Sequence, residues 1–106
     1  MEENYIEQLK NNLAFHRGRL REHIAAEEFM SSEAGRLILK LIDDEISISV
    51  NAMTGSNALD RDTYLSLHGR VRGLRSLRHT ITARAEDKKT ASLVKEIDEQ
   101  LQGLES

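Results

Sequence analysis

The sequence predicts an all-α fold, and three observations carry that prediction. Apolar residues recur at three- and four-residue steps over most of the chain, the spacing that gathers them on one side of a helix. There is no Pro in 106 residues, where ordinary usage of about 5% would supply about five, and Pro breaks helix interiors. Aromatic residues make up 4% of the chain and Trp is absent, so the core must come from Leu, Ile, Val, Ala and Met. Together these describe an antiparallel helical hairpin or bundle of three long helices plus a C-terminal helix, in one helical domain over 1–106. A chain of this length is near the size at which a single core becomes self-sufficient.

The first helix is expected over about 3–28. Ile6, Leu9, Leu13, Leu20 and Ile24 form its stripe, with His16 in the gap. Gly18 weakens it by roughly 1 kcal/mol relative to Ala, and Arg17, Arg19 and Arg21 crowd its polar flank. It packs either on the rest of the chain or on a neighbour. Ser31 and Ser32 then offer hydroxyls that can accept from orphan amides at a helix start. Glu33 suits the positive end of the helix dipole.

The second helix is expected to reach about Met53. Ala34, Leu37, Ile38, Leu41, Ile42, Ile46, Ile48, Ala52 and Met53 span close to half its circumference, which places it centrally as the core element. The run Ile46-Ser47-Ile48-Ser49-Val50 alternates with strand period, but the helical spacing on both sides outweighs it. Gly55 is expected as a left-handed C-terminal cap, Ser56 to Leu59 as the turn, and Asp60 as the cap of the third helix, with Asp62 in its first turn. A connection this short makes the second and third helices antiparallel neighbours, a core hairpin over about 32–85.

The third helix has three sides. Tyr64, Leu67, Val71, Leu74, Leu77, Ile81 and Ala85 form an apolar sector, expected to face the second helix. Ser66, Gly69, Gly73, Ser76, Thr80 and Ala83 form a sector of small side chains. Arg61, His68, Arg72, Arg75 and His79 form a basic one. A helix that only covers a core needs one apolar and one wet face. Two Gly inside a helix cost roughly 1–2 kcal/mol in propensity, a loss that close approach of another backbone offsets through dispersion contacts. The small sector therefore packs on the second helix or on another subunit, with the subunit favoured because the apolar sector already faces the second helix.

After Ala85 the apolar phase fails, since continuing it would put Lys88, Ser92 and Lys95 on the seam. Glu86 to Lys89 is read as a kink, or as a loop capped by Thr90. A helix over 90–104 follows, with Val94, Ile97, Leu101 and Leu104 as one narrow stripe suited to docking.

Charge and motifs restrict function. The formal charge is −3, which gives no general attraction to nucleic acid or anionic membrane. It is unevenly spread: from Arg61 to Lys89 there are eight Lys/Arg against four Asp/Glu with Asp60 included, while 90–106 is acidic. That asymmetry suits head-to-tail pairing between helices or subunits, or simple solvation. The absence of Cys removes disulfide and thiolate chemistry. Glu2 and Glu3 are the reverse of a signal peptide's basic start, and no apolar run approaches the ~20 residues of a membrane span. A soluble protein in the cytoplasm of the producing cell is expected, with no membrane partner.

No metal, cofactor or catalytic residues are expected. His16 and His23 lie seven residues apart, about 10.5 Å along a helix, too far for both to hold one ion. Asp43, Asp44 and Glu45 are consecutive and point different ways, so they do not converge as paired carboxylates. Gly69-Arg70-Val71-Arg72-Gly73 lies inside helical periodicity, whereas phosphate cradles precede a helix. The basic sector, Arg61, His68, Arg72, Arg75 and His79, has the spacing to follow a phosphate backbone or to pair with acids of an adjacent subunit.

Ser31-Ser32-Glu33-Ala34-Gly35-Arg36, an aliphatic helix, then Leu59-Asp60-Arg61-Asp62-Thr63-Tyr64 and Leu67-His68-Gly69-Arg70-Val71-Arg72-Gly73-Leu74 form a pattern over Ser31 to Ala85. It resembles small α-helical-hairpin proteins encoded among the structural genes of tailed bacteriophages. The resemblance implies a virion or virion-assembly component that packs against copies of itself or other virion proteins, and it brings no catalytic residues. The expectation is a non-enzymatic assembly protein that self-associates through Ser66, Gly69, Gly73, Ser76, Thr80 and Ala83. The alternative is a nucleic-acid-contacting regulator using the basic face.

Overall fold

The computed structural model describes residues 2–55 and 59–105. Among them it holds four α-helices and no strand: α1 Glu2–Ser31, α2 Glu33–Thr54, α3 Arg61–Ala85 and α4 Lys89–Glu105. The all-α class follows. The alternating run at 46–50 is helical. No helix among these residues is long and apolar enough to cross a membrane.

Local chemistry explains most of the boundaries. α1 runs on through Phe29 and Met30, three residues beyond the expected end, and Ser32 alone separates it from α2. The Ser32 hydroxyl donates to the Phe29 carbonyl at 2.8 Å and accepts from the Gly35 amide at 2.9 Å. One side chain thereby closes one helix and opens the next. Asp60 caps α3 as expected, its Oδ1 accepting from the Thr63 amide at 2.7 Å and its Oδ2 from the Thr63 hydroxyl at 3.0 Å.

Two expected caps differ. Gly55 is extended, with φ −63° and ψ 162°, so it is not the left-handed cap expected of it. Thr54 instead donates its hydroxyl back to the Val50 carbonyl at 3.0 Å. The expected turn residues Ser56 to Ala58 lie outside the described residues. Before α4, Thr90 is buried and already inside the helix. The carboxylate that opens the helix belongs to Asp87, whose Oδ2 accepts the Thr90 hydroxyl at 2.6 Å.

Within the span 1–106 the residues cluster into two compact units, 1–27 with 84–106 and 28–83. In the first, Leu9, Leu13 and Leu101 form the core, and Ile6, Val94 and Ile97 pack against it. The first helix thus packs on its own chain, and the α4 stripe docks through Val94, Ile97 and Leu101, while Leu104, expected in the same stripe, is exposed. Lys10 pairs with Glu105 at 3.2 Å and Arg17 with Asp98 at 3.6 Å, so residue numbers rise along α1 as they fall along α4. His23 is buried here. Its Nδ1 donates to the Arg84 carbonyl at 2.8 Å and its Nε2 lies 3.0 Å from Glu27. The Arg84 guanidinium in turn donates to Glu22 at 2.9 Å. One of the orphan carbonyls at the end of α3 is satisfied in this way.

In the second unit α2 lies against α3. Leu39, Ile42 and Val71 are buried, and Leu67, Leu74 and Ile81 are half-buried. Asp43 takes a two-pronged contact from Arg78, at 2.6 and 3.1 Å. Glu45 accepts from Arg70 at 3.0 Å. Asp44 instead turns to Lys40 on its own helix, at 3.6 Å. The three consecutive acids therefore address three different cations, as their spacing required.

Candidate association surfaces on the second unit

α3 presents its sectors to different surroundings. The sector centred on Val71 meets α2, although Tyr64 and Leu77 at its margins are 44% and 50% exposed. The small-residue sector lies on roughly the opposite side, at about 100° of turn per residue. Ser66, Gly69, Gly73, Ser76 and Thr80 are exposed and Ala83 is half-buried. A Cβ placed on Gly69 or Gly73 would meet nothing within 4 Å. Packing of this sector on the chain's own second helix, one of the two sequence readings, is therefore corrected. Among the described residues the two glycines face no part of their own chain. Thr80 returns its hydroxyl to the Ser76 carbonyl at 2.9 Å, which keeps the sector low and smooth.

The basic sector runs along an edge of α3. Arg61, His68, Arg72, Arg75 and His79 are all exposed, and the His68 ring stacks on Tyr64 with centroids 6.2 Å apart. Arg70 and Arg78 pair with carboxylates of α2. Arg61, Arg72 and Arg75, by contrast, have no ion pair among the described residues. Two open depressions follow this edge. One, of about 440 Å³, lies between Arg75, Arg78, His79 and Thr82. The other, of about 330 Å³, has Val50, Met53 and Val71 as its apolar part and His68, Arg72 and Arg75 at its rim.

A third surface was not singled out from sequence. α2 does not sit centrally with its apolar half covered: Leu37, Leu41 and Ile48 are 56%, 55% and 62% exposed. With Ala34 and Ala52, also exposed, they fall in one stripe within about 60° of arc. Ile38 extends it on the side where Glu45 meets Arg70. The signal was present in the sequence. One neighbour covers only part of a helix's circumference, so an element apolar over half its surface has more to bury than α3 can cover.

Among the described residues no group of three or more His, Cys, Asp or Glu is placed to hold a metal ion. No protein family, curated protein or solved structure matches the chain.

Proposed function

We propose that this chain is a non-enzymatic structural and assembly protein, with α2 and α3 forming an antiparallel helical hairpin that packs against a second copy of itself. The observation that carries the reading is the α2 stripe of Leu37, Leu41 and Ile48, large aliphatic side chains left more than half in water on the most apolar helix of the chain. Burying such a side chain is worth about 1.5–3 kcal/mol, so leaving several out on one line is a standing drive to associate. The small-residue face of α3 has the complementary shape. Its glycines carry nothing for the bulky stripe to collide with, and a two-fold arrangement buries stripe and face on both copies at once. The resemblance over Ser31 to Ala85 supports a place in the virion, or in the assembly of the virion, of a tailed bacteriophage, with other virion proteins as further partners.

Light scattering coupled to size exclusion tests the reading. The unmodified chain should elute as a dimer or larger species, and Leu41→Glu with Ile48→Glu as a monomer of unchanged helicity. A monomeric unmodified chain at high concentration overturns it.

A second reading, a regulator contacting nucleic acid through Arg61, His68, Arg72, Arg75 and His79, is favoured by one observation: its three arginines form no ion pair among the described residues. It predicts binding that weakens steeply with salt and disappears when Arg72 and Arg75 are replaced together. Its weakness is the net charge of −3.

A further inference from the structure

We draw no further inference here: the strongest candidate, the open depression of about 330 Å³ between α2 and α3 with Val50, Met53 and Val71 as its apolar part and His68, Arg72 and Arg75 at its rim, carries nothing because nothing in the structure shows what covers it.

Discussion

At Gly35 the backbone leaves no room for any other residue. An added Cβ would overlap the Phe29 carbonyl and lie 2.8 Å from the Ser32 hydroxyl, the atom that joins α1 to α2. Gly35→Ala should therefore cost at least about 2 kcal/mol, through strain at a rigid backbone contact and loss of the corner's hydrogen bonds. Ser49 is the opposite case. Its hydroxyl oxygen is buried, with no hydrogen-bond partner among the described residues, and the residue is 1% exposed. Removing an unsatisfied buried polar atom relieves a desolvation cost, so Ser49→Ala should hold or raise stability, by up to about 1 kcal/mol. Urea denaturation of the two variants measures both effects, and the expected signs are opposite. Sequence alone pointed to Gly69 and Gly73 because they interrupt a helix. Gly35 drew notice only as part of a local pattern, since the close approach that demands it comes from the corner at Ser32, which sets the Phe29 carbonyl against it.

The helices were legible in the sequence where local chemistry sets them, and less so where packing does. Ser32 and Asp60 were readable as caps because each precedes an apolar run and carries an acceptor. Gly55 and Thr90 misled, because a glycine need not turn left-handed and a threonine inside a first turn competes with the carboxylate before it. The pairing of α1 with α4 was open in the sequence, since two single-stripe helices fit each other as well as they fit a neighbour. Asp60 and Asp87 carry a pH signature at this scale. The Thr63 amide and then its hydroxyl hold Asp60 below the ordinary aspartate value. The Thr90 hydroxyl, followed by the Thr90 and Lys89 amides and the charge of Arg19, does the same for Asp87 against partial desolvation. A lowered native pKa means stability present above the unfolded value near 4 and lost as pH falls through the native one. The first turns of α3 and α4 should accordingly fray below about pH 4, seen as faster amide exchange at Thr63 and Thr90. Unchanged exchange there would contradict the caps.

At the scale of the whole chain, the sequence disclosed surplus surface before it disclosed where that surface lies. The small-residue face of α3 was visible as a pattern, and the structure removes its own α2 as the occupant. The α2 stripe became visible only once α3 was seen to cover Leu39 and Ile42 and to leave Leu37, Leu41 and Ile48 outside. A core this thin, drawn from a few aliphatic side chains in each unit, gains stability from any partner that binds only the folded state. The glycines proposed to seat a partner weaken the lone helix, so their replacement separates folding from the proposed assembly.

Sedimentation equilibrium of Gly73→Leu beside the unmodified chain puts that separation to the test. In an isolated molecule a Cβ at this position meets nothing within 4 Å, and losing the glycine removes a helix penalty of about 1 kcal/mol, so helicity and melting of the dilute protein should hold or rise. Its bulk on the docking face should meanwhile raise the dissociation constant of the complex at least tenfold. A dissociation constant equal to that of the unmodified chain, with the fold intact, would show that no second copy sits on that face.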